Sequence, residues 1–188
     1  MLLLVDAGNT RIKWAVARPE APPGDWLASA ALAHDDLPSL PTTWASWPLT
    51  SVLVANVAGA KVAAHIEAAI EAVIGEKIGE VIGEVTGAAR PALGAPTWFR
   101  SQPVCAGVIN GYRDPGQLGC DRFASLIGAR YRYPGQPLLV VTAGTATTVD
   151  ALNDDGRFIG GMILPGLRTM AQSLALNTAL LPAVDRVL

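Results

Sequence analysis

Residues 1–16 read MLLLVDAGNTRIKWAV, and this stretch is the best guide to the fold. A short apolar run ends in Asp6, a small polar turn (Gly-Asn-Thr) follows, and the apolar pattern resumes after Lys13. Two apolar runs joined by a short glycine-containing turn predict a β-hairpin, with strands over residues 2–5 and 12–17. The first strand is expected to be buried.

A second stretch of the same kind, LLVVTAGTATTVD, lies at residues 138–150. When Ala7-Gly8 is aligned with Ala143-Gly144, two strand–turn–strand units superimpose, and the second has predicted strands over 138–141 and 146–152. Its first strand is also expected to be buried. The repetition predicts two related half-domains that face each other across a cleft.

Both turns carry groups that suit a phosphate ligand. Glycine lets the backbone come close to a ligand, and a concave row of backbone amides binds anions. Thr10, Thr145 and Thr147 add hydroxyl donors, Lys13 adds a point charge, and Asp6 is placed to hold Mg²⁺ through water. Neither a P-loop nor a G-x-G-x-x-G fingerprint occurs in its proper context. The alternative interpretation is that AGNT and AGTA are simple hairpin turns.

Elsewhere the pattern alternates strands with helices, which is typical of an α/β protein. Residues 38–48 are expected to form a loop, and the repeat EKIGEVIGEVTG over 76–87 fits either a strand or a surface insertion. The other predicted elements are strands over 26–33, 51–57 and 158–164, a short strand within 101–109, and helices over 60–75, 120–133 and from Pro165-Gly166 to 177.

Composition limits the possible functions. The chain has 188 residues, a net charge of −2 and no basic block, which argues against nucleic-acid binding. The apolar fraction of 51% argues against disorder. The N-terminus lacks a signal peptide's basic region, and no apolar run is long enough to span a bilayer. Two cysteines fit a reduced compartment, so a cytoplasmic protein without a membrane partner is expected.

The segment GYRDPGQLGCDR at 111–122 holds the next candidates. Asp121, at the start of a predicted helix, is suited either to orient a substrate hydroxyl and accept its proton or simply to cap the helix. Arg122 is suited to a substrate carboxylate, which its planar fork binds bidentately, or is a plain surface cation. Tyr112 offers a phenol to a ligand, or is a half-buried packing aromatic.

Four motifs in order carry a family resemblance: DAGNTRIK at 6–13, NGYRDPGQLGCDR at 110–122, AGTATTVD at 143–150 and GGMILPG at 160–166. With them the chain resembles type III pantothenate kinases, members of the acetate and sugar kinase/Hsc70/actin superfamily. The resemblance implies an α/β fold of two ribonuclease-H-like (actin-like ATPase) half-domains, with mixed sheets flanked by helices. The half-domains are expected at 1–116 and 117–188, each with one phosphate hairpin.

The resemblance also implies an activity: transfer of phosphate from ATP, with Mg²⁺, to pantothenate, giving 4'-phosphopantothenate in the first step of coenzyme A biosynthesis. It implies a homodimer. Asp121 would be the catalytic acid/base, and Asp6 would hold the metal. The implied pantothenate-binding residues are Tyr112, Gly119, Cys120, Asp121 and Arg122. The implied ATP-binding residues are Asp6, Ala7, Gly8, Asn9, Thr10, Arg11, Ile12, Lys13, Gly144 and Thr145.

Two departures from the family pattern change the expectations. Thr142 stands where many members have an acid that holds a monovalent cation, so K⁺ or NH₄⁺ dependence of the usual kind is not expected. The chain also stops before further helices that carry an Asn-Thr motif in the family, so we expect either a fragment of a longer protein or an incomplete second half. Two rival functions follow: a regulatory or accessory protein that keeps the kinase fold, and another sugar or acid kinase of the superfamily.

Overall fold

The computed structural model describes residues 1–83 and 93–177, and of residues 75–83 it describes the backbone alone. The chain forms two compact units, Met1–Phe99 and Arg100–Leu188. The division comes before residue 116 because the intervening segment bonds within the second unit: the Ile109 N–H donates to the Gly156 carbonyl at 2.9 Å. The half-domain boundary at residues 116 and 117 remains a prediction.

The first unit is built on a five-stranded mixed sheet of order β3-β2-β1-β4-β5. Strands β1, β2 and β3 are antiparallel neighbours, whereas β4 runs parallel to β1, and β5 runs parallel to β4. The predicted hairpin is therefore confirmed at the centre of this sheet. The strands are β1 (Leu2–Ala7), β2 (Arg11–Ala17), β3 (Ala28–Ala33), β4 (Ser51–Asn56) and β5 (Thr97–Trp98).

Alternation of side chains places the core on one face of β1. Leu3, Val5 and Ala7 are buried, while Leu4 and Asp6 between them are only half-buried. This is the two-residue period of a strand whose neighbouring side chains point to opposite faces. The first strand is buried as expected, and its last polar side chain, Asp6, lies on the opposite face from the core residues Val5 and Ala7.

Residues 38–48 were expected to form a loop, and that prediction is wrong. A 3₁₀-helix spans His34–Ser39, and a short α-helix, α1 (Leu40–Ala45), follows it. Leu37, Leu40 and Trp44 are buried at helical spacing against the sheet. Prolines in the segment suggested irregular structure, but Pro41 lies in the first turn of α1, where a missing N–H costs nothing.

Helix α2 (Ala60–Gly83) is longer than predicted. An end near Gly75 was expected, but the helix continues through Gly75 and Gly79, and each glycine costs about 1 kcal/mol in a helix interior. Apolar residues recur at helical spacing beyond Gly75, at Ile78, Val81 and Ile82. Of the segment 76–87, the described part up to Gly83 is therefore helical rather than a strand, and residues 84–87 lie outside the described residues.

The second unit contains a three-stranded antiparallel sheet of order β10-β9-β8. A two-stranded hairpin lies before it, and a bridge between Ile109 and Arg157 links the two. The elements are β6 (Val104–Cys105), β7 (Val108–Ile109), α3 (Cys120–Arg132), β8 (Leu138–Ala143), β9 (Ala146–Leu152), β10 (Phe158–Pro165) and α4 (Leu167–Asn177). Sheets flanked by helices in both units confirm the predicted α/β class.

The expectation that the second hairpin also begins with a buried strand is wrong. Leu139 and Val141 of β8 are 73% and 61% exposed, whereas the aligned Leu3 and Val5 of β1 are 0% and 4% exposed. In the first unit helices pack on that face of the sheet, but in the described part of the second unit no element covers these two side chains. The hydrophobic pattern was the same, and the burial differs because it depends on the neighbouring elements.

Candidate active site

The first hairpin turn joins β1 to β2 through Gly8, Asn9 and Thr10. The Gly8 N–H donates to the Arg11 carbonyl at 3.1 Å, which closes the turn. Asn9 and Thr10 are exposed, and so is Arg11 at the start of β2. The turn therefore presents backbone and polar side chains to solvent, as a ligand-binding turn requires.

Asp6 and Lys13 lie directly opposite each other in the antiparallel pair of β1 and β2. Lys13 Nζ is 3.1 Å from Asp6 Oδ2, and the two side chains are 62% and 42% exposed. An ion pair this exposed contributes at most about 1 kcal/mol. The two groups were expected to act separately, on a phosphate and on a metal ion; the structure pairs them weakly enough for ligands to separate them.

Ala7 and Ile12, two of the implied ATP contacts, are fully buried in the core. Their side chains face away from solvent, so only their backbone atoms are available to a nucleotide. The hairpin segment 6–13 thus divides into residues that hold the turn in place and residues that face a ligand. The ones that face solvent are Asn9, Thr10, Arg11 and Lys13, with Asp6 and Gly8 half-buried.

The second hairpin turn, between β8 and β9, repeats the first with one residue fewer. Ala143 pairs with Thr147, where Ala7 pairs with Ile12, and the Gly144 N–H donates to the Ala146 carbonyl at 3.0 Å. Gly144 and Thr145 are exposed, and Thr147 is half-buried. The predicted relationship between the two turns therefore extends from sequence to hydrogen bonding.

Helix α4 and Gly166, the residue before it, form hydrogen bonds to the second turn. The Thr145 carbonyl accepts hydrogen bonds from the Gly166 N–H at 3.0 Å and from Thr169 Oγ1 at 3.1 Å. A Cβ on Gly166 would collide with the Gly144 and Thr145 carbonyl oxygens. The Pro165-Gly166 motif is thus needed for this close approach, a role that the sequence did not reveal.

Asp121 lies in the first turn of α3 and is half-buried. The N-cap residue is Gly119, so Asp121 is not the cap that one interpretation made it. Asp121 Oδ1 accepts a hydrogen bond from the Arg122 N–H at 2.8 Å, and the positive end of the helix favours its negative charge. Gly119 and Cys120, also half-buried, lead into this turn, and neither Cys120 nor Cys105 forms a disulfide.

Arg122 is buried and forms an ion pair with Asp150 of β9. The side chains of the two residues are 8% and 1% exposed. Arg122 Nε donates to both carboxylate oxygens of Asp150, at 3.2 and 3.1 Å, and Nη2 donates to Oδ1. The interpretation of Arg122 as a surface cation is therefore wrong, and two of its nitrogens already serve a carboxylate of the protein itself.

Hydrogen bonding to Asp150 raises the pKa of Arg122 above its ordinary value, and this effect outweighs the opposing effect of burial. The charge of Asp150 and, to a smaller extent, the Tyr112 side chain raise the pKa further. The guanidinium also lies over the Phe158 ring, 5.8 Å from its centre. Arg122 is therefore positively charged throughout the pH range in which proteins are handled.

Tyr112 packs against Phe158 with its ring centre 5.2 Å away and the rings tilted by 58°. Asn110 shapes the loop before it: the Tyr112 N–H donates to Asn110 Oδ1, and Asn110 Nδ2 donates to the Pro115 carbonyl, both at 3.1 Å. The second unit thus brings Tyr112 and Arg122 together, as expected for one pocket. The packing role of Tyr112 is observed, and its role toward a ligand remains a prediction.

Sequence reasoning did not identify Asp150 as the partner of Arg122. A signal was present, because buried and half-buried residues alternate in β9 and Asp150 shares the buried face with Thr148 and Leu152. A carboxylate on the core face of a strand requires a cation, but the sequence does not say which of 14 it is. In the described residues no group of three or more His, Cys, Asp or Glu side chains could hold a metal ion.

A family model described as type III pantothenate kinase matches residues 2–188. Type III pantothenate kinases of Herminiimonas arsenicoxydans and of Janthinobacterium sp. are 46% and 48% identical over 187 residues, which is 98% of this chain. The chain spans 66% of the length of each of these two relatives.

A solved structure supports the fold alone. The crystal structure of a "putative 2-dehydro-3-deoxygalactonokinase protein" from Sinorhizobium meliloti matches 96% of this chain and 58% of its own, with a TM-score of 0.50 and 17% identity.

No described helix is both long and apolar enough to cross a membrane. The family match over nearly every residue, with identity above 45% to two kinases, places the chain in the type III pantothenate kinase family.

Proposed function

We propose that this chain, alone or as part of a longer protein, phosphorylates pantothenate at the expense of ATP and so gives 4'-phosphopantothenate for coenzyme A biosynthesis. The observation that carries this proposal is the family match over residues 2–188. The matched region includes both glycine turns and the segment 110–122. Nothing in the described residues favours the regulatory alternative, which we do not propose.

In this proposal the turn of the first hairpin contacts phosphates of ATP, and Gly144 and Thr145 are further ATP-contacting residues. The Asn9 N–H, which makes no hydrogen bond to the described part of the chain, and the Lys13 ammonium supply donors in the first hairpin. The ion pair of Lys13 with Asp6 is exposed, so a phosphate draws Lys13 away at little cost.

Asp6 fits a magnesium site of the kind that depends on the nucleotide. Mg²⁺ in kinases is usually held by one or two carboxylates, with phosphates and waters as the other ligands. A single half-exposed carboxylate beside a phosphate turn suits that pattern, and a dedicated protein cage would need more ligands than the described residues bring together. The ion, when bound, neutralises charge on the phosphates.

Asp121 is the acid/base. Its Oδ1 is occupied by the Arg122 N–H, so we assign Oδ2 to the primary hydroxyl of pantothenate. The hydroxyl oxygen forms a bond to the γ-phosphorus, the bond from that phosphorus to the β–γ bridging oxygen breaks, and ADP leaves. The hydroxyl proton passes to Asp121. Phosphoryl transfer is loose, so a carboxylate that mainly orients the hydroxyl is sufficient.

Tyr112, Gly119, Cys120 and Arg122 line the pantothenate pocket in this proposal. Asp150 takes the Nε–H and one N–H of Nη2, so a substrate carboxylate is left with the outer end of the guanidinium, which consists of Nη1 and the second N–H of Nη2. Asp150 then acts as a positioning residue, because it sets the plane of the guanidinium. This arrangement restricts the two-point recognition that was expected for Arg122.

The remaining expectations from the resemblance are part of the proposal. Thr142 has a hydroxyl and no charge, so turnover should need no added K⁺ or NH₄⁺. The protein acts as a homodimer in the cytoplasm, and light scattering of the purified chain tests the dimer. Strict dependence of turnover on either cation would point to a cation site built from other groups.

The decisive experiment is a coupled ADP-release assay with ATP, Mg²⁺ and pantothenate, on this chain and on a longer form that extends beyond residue 188. Pantothenate-dependent ADP release, lost when pantothenate is omitted, supports the kinase. Turnover by the longer form alone would show that further residues complete the site. A folded longer form that releases no ADP would overturn the proposal.

A further inference from the structure

His34, the residue that follows strand β3, contacts the first phosphate turn. Its Nε2 lies 2.9 Å from the Gly8 carbonyl oxygen. The contact follows from the sheet: Ala33, the last residue of β3, pairs with Arg11, the first residue of β2. The residue after β3 therefore lies beside the turn that precedes β2.

The chemistry of the two atoms fixes which one is the donor. A carbonyl oxygen only accepts hydrogen bonds, so the proton lies on His34 Nε2. Both the neutral tautomer with Nε2–H and the doubly protonated ring can donate from this atom. The contact therefore persists whether the imidazole is neutral or charged.

Holding the Gly8 carbonyl also orients the next amide. A peptide unit is planar and trans, so the Gly8 carbonyl and the Asn9 N–H point in opposite directions. With the carbonyl held by His34, the Asn9 N–H points away from His34. This N–H makes no hydrogen bond to any part of the chain that the structure describes, and Asn9 is exposed.

The Gly8–Asn9 peptide would otherwise be free to rotate. Glycine adopts a wide range of backbone conformations, so a flip of this peptide plane is inexpensive. The Gly8 N–H is already held by the Arg11 carbonyl, so the peptide on the N-terminal side of Gly8 is fixed. The rotation that remains is that of the peptide formed by the Gly8 carbonyl and the Asn9 N–H. His34 removes that freedom before any ligand binds.

We propose that His34 is a positioning residue of the phosphate turn: by holding the Gly8 carbonyl, its Nε2–H presents the Asn9 N–H to a phosphate of ATP. The inference rests on the proposed function, which places the nucleotide phosphates at this turn. It adds a residue outside the segment 6–13 to the nucleotide site. A preorganised donor lowers the cost of ordering the turn on binding.

The test compares His34→Ala with His34→Gln, whose amide nitrogen can reach the position of Nε2. The matched control is His65→Ala, because His65 is the other histidine and its Nδ1 lies at hydrogen-bond distance from the Lys61 carbonyl of its own helix. Two quantities are measured: the ¹H–¹⁵N resonance of the Asn9 amide with and without MgATP, and the KM for ATP. Thermal unfolding confirms that each variant is folded.

We expect His34→Ala to shift or broaden the Asn9 resonance in nucleotide-free protein and to raise the KM for ATP about three- to tenfold, the range of one hydrogen bond. His34→Gln should largely restore the wild-type Asn9 resonance and the wild-type KM for ATP, and His65→Ala should leave both unchanged. An Asn9 amide that responds to MgATP equally in wild type and His34→Ala would overturn this inference alone. An Asn9 amide that ignores MgATP in the wild type would overturn the nucleotide role of the turn as well.

A measurement on the wild type keeps the inference testable if His34→Ala does not fold. Long-range ¹H–¹⁵N correlation spectra assign the tautomer of each histidine ring directly. Near neutral pH we expect the Nε2 of His34 to carry a proton. An Nε2 without a proton would mean that the contact with Gly8 is not a hydrogen bond, and the inference would fail.

Discussion

Arg122 in the first turn of α3 and Asp150 in the middle of β9 form a buried ion pair, with Arg122 Nε within 3.2 Å of both carboxylate oxygens. The two residues are far apart in sequence, and neither side chain is more than 8% exposed. The pair joins the helix that carries Asp121 to the sheet that carries the second glycine turn. Its geometry therefore affects stability and, under the proposed function, substrate recognition.

Removing one partner of this pair should lower the free energy of unfolding. Asp150→Ala leaves a buried guanidinium without its carboxylate, and we expect a loss of about 3–5 kcal/mol in the free energy of unfolding. Asp6→Ala breaks the exposed pair with Lys13 and should cost less than about 1 kcal/mol. Urea denaturation at 25 °C measures both. Equal losses would contradict the structural difference between the two pairs.

The pair also predicts a pH dependence. The pKa of Arg122 is raised on folding, so the resulting stability is fully present below the ordinary arginine value and is lost only as pH rises through the higher folded value. In Arg122→Lys the charge titrates about two pH units lower. We expect the difference in Tm between wild type and Arg122→Lys to widen from pH 7 to pH 10.5. A constant difference would mean that residue 122 keeps its charge in both proteins.

Gly161 should be intolerant of a side chain. It lies opposite Asp150 on β10, and a Cβ there would collide with Asp150 Oδ1 and Arg122 Nη2. We expect Gly161→Ala to lower the free energy of unfolding by about 1–3 kcal/mol, the range for overpacking. Gly128→Ala, in α3 with nothing within 4 Å of the new methyl group, is the control and should be neutral or slightly stabilising. Both variants replace a glycine hydrogen with a methyl group. Equal changes in the free energy of unfolding would therefore contradict a collision at Gly161.

Asp121→Asn should separate catalysis from folding. Loss of the acid/base should lower kcat by about 10²–10⁴, with Tm and ATP binding nearly unchanged. Asp154→Asn is the control, because Asp154 Oδ1 also accepts a hydrogen bond from the next N–H, at 3.1 Å. The ADP-release assay with saturating pantothenate gives kcat. An unchanged kcat for Asp121→Asn would reduce Asp121 to a helix-stabilising residue.

Asp6→Asn should shift the magnesium requirement. The amide is a weaker ligand than the carboxylate, so a higher Mg²⁺ concentration should be needed for half-maximal turnover. Asp36→Asn, an exposed acid in the same unit, should leave the titration unchanged. If Asp6→Asn needs the same Mg²⁺ concentration as the wild type for half-maximal turnover, another acid holds the metal. Asp150 is excluded from that role, because it is buried and bound to Arg122.

Most of the local structure, and the family, could be predicted from the sequence. Strand–turn–strand periodicity located both hairpins, and four ordered motifs identified a kinase family that the match over 2–188 confirms. These features depend on neighbours along the chain, so they can be read from spacing alone. The same reasoning failed at α1, which packs against the sheet, and it ended α2 near Gly75, although the helix continues to Gly83.

The partners of individual side chains followed from the three-dimensional fold. It paired Arg122 with Asp150 and His34 with Gly8, and it left Leu139 exposed although the aligned Leu3 is buried. Each of these depends on which strands are neighbours in a sheet and on what covers its faces. A sequence specifies the charge, size and periodicity of a side chain, but its partner comes from strand order and register, which bring together residues far apart in the chain.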